Sequence, residues 1–417
     1  MRILHTADWH LGHVLLDQPR EAEHRAFLSW LLDLLASEEV DALLVCGDVF
    51  DGANPPASAQ AAWYRFLAEA AVRCPGLSVV AIAGNHDSPA RLEAPAPVLS
   101  ALKVHVVGAL PRDGSGPDVE KIVVPLSARR DGRVAAWVAA VPYLRLADVP
   151  GGEGEEPPDV VGGVRGVYSR VLDAARARRE KGQALLATGH CYMQGTRLSE
   201  ESERKVLGGN LHPLPGDLFP EDVAYAALGH LHFPQAVGRR GNVRYAGSPI
   251  PLSLDEEPYP HQVCLVDLDG ERLAAVRPVR VPRLVPILRL PKDGAAEPEE
   301  LLDLLRGLPP APERRPGETD LRPYLEVRVR VERSSALLKQ QIEDALDGRD
   351  ARLLKISPER KDDGPALADA TSAVLADLTP EAVFLRRWER DREGAPPPEM
   401  LAAFHELVEA AAREEAP

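Results

Sequence analysis

An α/β layered fold is predicted for residues 1 to about 280, because short apolar runs typical of strands alternate there with amphipathic helical stretches. A helix is predicted at residues 20–37, where Phe27 and Leu31 belong to one apolar face, and a second helix at residues 58–71. The predicted strands are residues 2–7, 42–46, 78–83, 103–107, 135–141, 184–188, 223–228, 243–246, 262–267 and 273–281.

A second, smaller domain is predicted after a change of composition near residues 291–298. We expect a small α+β cap with strands at residues 284–290, 325–332 and 352–356 and helices at residues 299–306 and 334–346. In the middle strand aliphatic and charged residues alternate, which predicts a sheet covered on one face only. Amphipathic helices are predicted again in the tail. The predicted domains are therefore residues 1–282, 283–360 and 375–417.

Composition limits the classes of protein that the chain can belong to. The net charge of −15 argues against a protein that coats nucleic acid, although it leaves a DNA-processing enzyme open. No apolar run reaches the roughly 18 residues of a membrane span, and the N-terminus has no signal-peptide pattern. The four cysteines are scattered without a Cys-x-x-Cys pair, so a reduced, cytoplasmic setting is expected.

Five short polar motifs each follow an apolar, strand-like run. They are Asp8-Trp9-His10, Gly47-Asp48-Val49-Phe50-Asp51, Gly84-Asn85-His86-Asp87, Gly189-His190 and Gly229-His230-Leu231-His232. Carboxylate, amide and imidazole groups in this combination can hold two divalent metal ions. The candidate metal ligands are Asp8, His10, Asp48, Asn85, His190, His230 and His232. Asp48 is the natural bridging ligand, because it follows a buried run and a turn-forming glycine.

The remaining motif residues are predicted to have other roles. His86 is free to face the substrate, where it could donate a proton to the departing oxygen or hydrogen-bond the phosphate. The carboxylate of Asp51 is the candidate for holding His86 in one tautomer. Asp87 is expected to orient a loop or a ligand, and Trp9 and Leu231 are expected to pack in the core. A metal-activated water is the expected nucleophile.

The five motifs resemble the signature of the calcineurin-like metallophosphoesterase superfamily. The resemblance implies a four-layer α/β/β/α sandwich and two metal ions, with Mn²⁺ preferred. It also implies that Asp8, His10, Asp48 and His232 hold one ion, whereas Asp48, Asn85, His190 and His230 hold the other. Ser/Thr protein phosphatases carry an arginine after the second aspartate, whereas this chain has Gly52 and Ala53. That difference counts against a phosphoprotein substrate.

Within this superfamily the chain resembles bacterial DNA repair and recombination nucleases that work with a coiled-coil ABC ATPase. The resemblance implies 3′-to-5′ exonuclease action on duplex ends and endonuclease action on single strands or hairpins. It implies a homodimer through the helices at residues 20–37 and 58–71, a heterotetramer with the ATPase, and ATPase docking by the tail helices. Those helices could instead pack on the cap, and Arg328 and Arg330 could contact DNA or form a solvated face.

Two other functions remain open from the sequence. The same metals could hydrolyse nucleotides or other small phosphodiesters, although a small substrate needs neither a cap nor docking helices. The chain could also be a scaffold that tethers DNA ends, with cleavage incidental. Cleavage of a hairpin DNA separates the first alternative from a nuclease, and the effect of replacing His86 separates the second.

Overall fold

The computed structural model describes residues 1–114, 116–149, 159–197, 213–315, 318–331, 336–360 and residue 400. Residues 150–158, a stretch of glycines, prolines and acidic residues, lie outside the described residues. The predicted tail helices likewise lie outside them, apart from Met400. No helix in the described ranges is long and apolar enough to cross a membrane.

The first sheet has six strands. In spatial order they are Arg272–Arg280, Gln262–Asp269, Arg2–Thr6, Ala42–Cys46, Ser78–Ile82 and Val104–Val107. The last four run parallel, and Gln262–Asp269 pairs antiparallel with both of its neighbours. These strands were all predicted, with ends within a few residues of those observed.

The second sheet also has six strands. In spatial order they are Gln235–Val237, Arg240–Tyr245, Val223–Gly229, Ala184–His190, Val134–Ala140 and Val123–Ser127. The four central strands run parallel, and the two edge strands are antiparallel to their neighbours. The edge strand Gln235–Val237 was not predicted, and neither was Val123–Ser127 at the other edge. The latter contains Pro125, which weakens a strand pattern and is tolerated at a sheet edge.

Helices cover the outer faces of the two sheets. Glu21–Ser37 and Ala57–Arg73 pack on the first sheet through Phe27 and Trp63, and Val160–Arg178 packs on the second. The predicted four-layer α/β/β/α sandwich is therefore confirmed. The helix Val160–Arg178 was not predicted, because its three glycines and several valines are weak helix formers.

The cap follows the sandwich as a βαβαβ unit. Its strands Ile287–Leu290, Tyr324–Val331 and Arg352–Arg360 are all parallel and alternate with the helices Pro298–Arg306 and Ala336–Leu346. The cap therefore differs from the expected α+β arrangement, since parallel strands joined by crossover helices define an α/β unit.

One residue of the alternating cap strand corrects the expectation of a sheet covered on one face only. The Glu326 side chain is buried, and its carboxylate accepts hydrogen bonds from Arg289 Nε at 2.9 Å and Ser357 Oγ at 2.8 Å. Arg289 in turn contacts the sandwich, so this end of the second face is covered by the first domain. Arg328 pairs with Glu326, and the more exposed Arg330 pairs with Glu359.

Short elements complete the described chain. The short strands are Val14–Leu15, Gln18–Pro19, Arg112–Asp113 and Gly116–Pro117, and the short α-helices are Pro89–Glu93 and Ala96–Leu99. The 3-10 turns are Ser100–Leu102, Val119–Ile122, Leu146–Asp148, Gly216–Leu218 and Leu254–Glu256.

A polar contact joins the two sheets inside the sandwich. His5 in the first sheet has Nδ1 at 2.9 Å from the Tyr225 hydroxyl and Nε2 at 3.1 Å from the Leu228 carbonyl oxygen, both in the second sheet. Burial lowers the pKa of His5 from 6.5 to about 3, so the ring is neutral in the folded protein. The unfolded chain gains a proton on His5 below pH 6.5, whereas the folded protein does not until about pH 3. Stability is therefore lost as the pH falls through this window.

We expect the His5→Gln protein to be less stable than the wild type at pH 7 but less sensitive to acid. One proton taken up only by the unfolded chain costs about 1.4 kcal/mol per pH unit, or roughly 2 kcal/mol between pH 6.5 and pH 5. Urea unfolding at pH 7 and pH 5 in the presence of EDTA measures the difference. The Tyr225→Phe protein is the control, because it loses the hydrogen bond but keeps the imidazole and its pH dependence. Equal acid sensitivity of the His5→Gln and wild-type proteins would contradict this account.

Candidate metal centre

The candidate ligands come together at one edge of the sandwich. Asp8, Asp48 and Asn85 follow the carboxyl ends of three parallel strands in the first sheet. His190 ends one strand of the second sheet, and His230 follows the next. Because carboxyl ends of parallel strands meet at the same edge, two facing sheets deliver both groups of side chains to one place.

The backbone is turned sharply at these ligands. Asp8, His10, Asp48 and His230 all have positive φ, between 45° and 100°. This conformation costs about 1–3 kcal/mol for a residue other than glycine and is characteristic of functional sites. Backbone hydrogen bonds between the loops hold it, from Asp8 N to Gly47 O at 3.0 Å and from His10 N to Asp48 O at 3.0 Å.

The glycines beside the ligands leave no room for a side chain. A Cβ on Gly229 would lie 1.9 Å from the carbonyl oxygen of Cys46, and one on Gly84 would lie 2.1 Å from Asp48 Oδ1. A Cβ on Gly47, which also has φ of +90°, would lie 2.1 Å from His190 Nδ1. These glycines let the two sheets approach closely enough for their ligands to meet.

The Asp48 carboxylate stands between histidines from separate parts of the chain. Its Oδ2 lies 3.2 Å from His190 Nε2 and 3.6 Å from His10 Nε2, while its Oδ1 accepts the His86 N–H at 2.8 Å. Burial opposes ionisation of Asp48, but the neighbouring imidazoles outweigh it and hold the pKa of this carboxyl well below its usual range. Asp48 is thus an anion placed between imidazoles that come from separate parts of the chain.

His190 faces a group of acceptors. Its Nδ1 donates to the Cys46 carbonyl oxygen at 2.9 Å, and its Nε2 lies 2.9 Å from Asn85 Oδ1 as well as close to Asp48. Although burial alone lowers it, the charge of Asp48 raises the pKa of His190 to about 9. A proton on His190 Nε2 can therefore be donated to the oxygens of Asn85 and Asp48. A bound cation at this position could contact the same oxygens in place of the proton. His230 Nδ1 lies 3.1 Å from the same Asn85 oxygen.

His10 shows the same need for a cation. Its Nδ1 donates to Asp51 Oδ1 at 3.1 Å, and its buried Nε2 has no hydrogen-bond partner. A buried imidazole nitrogen without a partner is costly unless it binds something that the protein itself does not supply. The Asp51 carboxylate also accepts from His13 Nδ1 at 2.9 Å, so it orients His10, a candidate metal ligand, rather than His86.

The expectation that the Asp51 carboxylate holds His86 is therefore corrected. His86 Nδ1 lies 2.9 Å from the main-chain oxygen of Asp51, so the backbone of this residue fixes the tautomer while its side chain turns to His10 and His13. The His86 ring is half-buried and lies edge-on to His10, with centroids 4.8 Å apart. Sequence alone does not distinguish the two oxygen types of one aspartate.

Sequence reasoning missed a buried acid that orients His232. Glu256 is fully buried, and its Oε1 accepts from His232 Nδ1 at 2.8 Å, which directs Nε2 toward the cluster. Glu256 belongs to a run of three acidic residues that reads as a surface turn, so no pattern distinguished it. His13 and Tyr143 were also missed, because no motif surrounds either residue. His13 bonds Asp51, and the Tyr143 ring packs edge-on against His190.

Two further carboxylates differ from Asp48, because burial raises the pKa of each. Burial raises the pKa of Asp8 to about 7, and its carboxylate accepts the His230 N–H at 2.9 Å. Burial raises the pKa of Asp87 to about 6, although three backbone N–H groups (Val49, Phe50 and Gly84) donate to it. Asp87 thus ties two ligand loops together, as expected for a loop-orienting residue. Trp9 and Leu231 are buried in the core, which confirms their predicted packing roles.

The residues at this edge fit divalent metal ions. Three overlapping groups, each with ligand atoms within 4.8 Å of one another, are Asp8–His10–His232, His10–Asp48–His86 and Asp8–Asp48–His190. The partnerless His10 nitrogen and the acceptors that converge on His190 are the features that a cation would satisfy. His86 lies close enough to be grouped with the ligands as well.

Fold and site together define a metallophosphoesterase. A family model for the calcineurin-like phosphoesterases matches residues 1–234, and one for the type 5 capsule protein repressor C-terminal domain matches residues 283–392. The chain is 43% identical over 92% of its length to SbcD of the SbcCD nuclease from Rhodobacter capsulatus, covering 93% of that protein. It is 32% identical over 93% of its length to SbcD of Escherichia coli K12, covering 92% of it, and 34% identical over 64% to SbcD of Bacillus subtilis, covering 66% of it.

The chain therefore belongs to the SbcD family of metallophosphoesterase nucleases. This assignment confirms the resemblance drawn from the five motifs and makes the protein an enzyme of phosphodiester hydrolysis.

We expect the Gly229→Ala protein to be destabilised by about 1–3 kcal/mol or more, because its Cβ would overlap the Cys46 carbonyl oxygen and push the two sheets apart. Gly241→Ala is the matched control, since nothing lies within 4 Å of a Cβ at that position in the second sheet. Thermal unfolding of both proteins in EDTA measures the difference. Similar unfolding temperatures for the two would show that the close approach at Gly229 is not needed.

Proposed function

We propose that this protein is a Mn²⁺-dependent DNA nuclease that acts in DNA repair and recombination with an SbcC-type coiled-coil ABC ATPase. It would act as a 3′-to-5′ exonuclease on duplex ends and as an endonuclease on single strands and hairpins. The single observation that carries the proposal is the Asp48 carboxylate between His10 and His190. Such a shared carboxylate is the arrangement that two neighbouring ions need.

The ligands divide into two sets that share Asp48. Asp8, His10 and His232 would complete one site, and Asn85, His190 and His230 would complete the other. Bound ions would lower the pKa of a water molecule and neutralise charge on the phosphate. The protein's own contribution is to fix the imidazoles: Asp51 holds His10, the Cys46 carbonyl oxygen holds His190, and Glu256 holds His232.

His86 is the proposed proton donor to the departing oxygen. Its Nδ1 is held by the Asp51 carbonyl oxygen, so in the protonated ring Nε2 carries the proton that can be transferred. The role of Asp51 is then twofold: its backbone fixes His86, and its carboxylate fixes His10.

We propose DNA rather than another phosphodiester as the substrate, because the relatives that match most of this chain are named as nucleases. The cap supports this choice, since a small phosphodiester needs no second domain. The protein-phosphatase arginine is absent at Gly52 and Ala53, which argues against phosphoproteins.

The proposed partners follow from the same similarity to the SbcCD nucleases. We propose a homodimer through the helices Glu21–Ser37 and Ala57–Arg73, between which lies a groove of about 440 Å³ with a largely apolar lining that includes Leu28 and Ala62. Two such protomers and two copies of the ATPase would form a heterotetramer. Docking of the ATPase on the tail helices, and their alternative packing on the cap, concern residues outside those described. The four buried free cysteines agree with a cytoplasmic location.

We expect the purified protein to cleave a labelled hairpin DNA in Mn²⁺, alone or with the ATPase, far faster than it hydrolyses a small phosphodiester. The comparison is made at equal enzyme concentration, and EDTA should abolish both reactions. Rapid turnover of the small ester without any DNA cleavage, with or without the ATPase, would instead favour the small-phosphodiester function.

We expect the His86→Ala protein to lose about 10²–10⁴-fold in cleavage rate while it retains Mn²⁺ and DNA binding. The His86 backbone N–H still bonds Asp48, so the shared ligand should stay in place. Asp48→Ala should instead weaken the binding of both ions. Cleavage assays and Mn²⁺ titrations of the two variants measure this contrast, with His105→Ala, in the edge strand Val104–Val107, as a control at a histidine outside the motifs. Normal cleavage by His86→Ala would remove the proton-donor role. Normal cleavage by both variants would show that this cluster does not cut DNA, which would leave DNA tethering as the alternative function.

A further inference from the structure

Residues 251–256, which we call the bridge segment, contact the supports of two candidate metal ligands. Glu256 accepts from His232 Nδ1 at 2.8 Å. The Leu252 carbonyl oxygen lies 3.0 Å from His13 Nε2, and the other nitrogen of His13 bonds Asp51, which holds His10. Both ligand histidines, His10 and His232, thus depend on one short piece of chain for their orientation.

The bridge segment behaves as a unit. Glu256 Oε2 accepts the Leu252 N–H at 2.9 Å, so the carboxylate that holds His232 also fixes the backbone that holds His13. The Glu256 carbonyl oxygen lies 2.9 Å from His261 Nε2, which ties the end of the segment to the first sheet. A displacement of this segment would therefore move the supports of His10 and His232 together.

The cap grips the bridge segment through Arg289. The guanidinium donates to the Leu254 carbonyl oxygen at 2.6 Å, lies 3.2 Å from Asp255 Oδ1, and is itself held by the buried Glu326 at 2.9 Å. Arg289 and Glu326 lie on neighbouring strands of the cap. This partly buried, charge-assisted contact has a defined geometry, because Glu326 holds the guanidinium on one side while the bridge segment accepts its hydrogen bonds on the other.

A second contact holds the other end of the bridge segment. Arg20 donates to the Pro251 carbonyl oxygen at 2.8 Å and pairs with Glu23, which accepts the cap's Tyr324 hydroxyl at 3.0 Å. All three side chains are at most 4% exposed. An apolar cluster lies beside them, formed by Leu15 and Leu254 of the sandwich with Val285, Ile287 and Tyr324.

The ligands of the other proposed ion are held within the sandwich. His190 donates to the Cys46 carbonyl oxygen, and the backbone N–H of His230 donates to Asp8. Asn85 lies between these two histidines. The contacts of the cap are therefore directed at one side of the metal centre.

We propose that the cap helps to build one of the two metal sites: Arg289 and Tyr324 are positioning residues that hold the bridge segment, and through it His10 and His232. The inference rests on the two-ion centre of the proposed function. It goes further by making the affinity for one ion depend on how the cap is seated. Loss of a carboxylate that orients a ligand histidine typically weakens metal binding by about 10–100-fold.

The test is a Mn²⁺ titration of the full-length protein, followed by the EPR signal of free Mn²⁺, which yields two dissociation constants without any cleavage assay. We expect Glu256→Gln to raise one constant by about 10–100-fold. We expect Arg289→Ala to raise the same constant by roughly tenfold, because it acts through the segment that holds Glu256. Arg330→Ala is the matched control, since this cap arginine pairs with Glu359 within the cap.

Single-site backgrounds identify the ion affected. In a His190→Ala background, Arg289→Ala should still weaken binding of the remaining ion. In a His10→Ala background, Arg289→Ala should leave the affinity for the remaining ion unchanged. If Arg289→Ala resembled Arg330→Ala, or weakened both ions equally, the inference would be overturned. Should Arg289→Ala fail to fold, Tyr324→Phe provides the test, because it removes only the hydroxyl that donates to Glu23. If both Mn²⁺ dissociation constants are unchanged in Tyr324→Phe, the proposed dependence of the metal site on the cap is refuted.

The outcomes also separate this inference from the proposed nuclease function. A wild-type protein that binds two Mn²⁺ ions with the expected cap dependence but cuts no DNA would refute the nuclease function alone. A wild-type protein that binds fewer than two ions would refute the two-ion centre, and the inference with it.

Discussion

The structure depends on one buried carboxylate at the meeting point of two sheets. Asp48 follows a strand of the first sheet, and His190, which ends a strand of the second, lies 3.2 Å from it. Neither group would be stable alone in this interior: an isolated buried anion is costly, and so is a buried cation. Their mutual attraction lowers the pKa of Asp48 and raises that of His190. The packing of the sandwich and the chemistry of its edge are therefore parts of the same interaction.

The local backbone shows what this arrangement costs. Four ligand residues have positive φ, and Gly84 and Gly229 have no space for a Cβ. Tight turns and close sheet contact make sense only if the side chains must converge. Asp87, which accepts three backbone N–H groups, holds two of the turns in place. The strain at the site is thus balanced by hydrogen bonds from residues that do not face the cluster.

The fold and the convergence of the candidate ligands were predictable because both depend on local patterns. Apolar runs define the strands of the two sheets, and polar residues just after a strand must lie at a sheet edge. Glu256 and His13 could not be found this way, since each acts through a partner that is distant in sequence. The same reason explains the error about Asp51, where the pattern indicated the residue but not which of its oxygens meets His86. The glycine-rich helix Val160–Arg178 was missed because packing on the second sheet outweighs its weak intrinsic propensity.

The buried Glu326 indicates why the cap is more than an addition to the sandwich. An alternating strand exposes its charged face when nothing covers it, yet here one charge is buried and paired with Arg289. Both residues of this pair belong to the cap and move with it, but a differently seated cap would lose the bonds of Arg289 to the Leu254 carbonyl oxygen and to Asp255. The ion pair therefore fixes the Arg289 guanidinium, and the contacts of this guanidinium with the sandwich fix the position of the cap. Because Arg289 also bonds the Leu254 carbonyl oxygen, that fixed position reaches the turn containing Glu256, and with it His232.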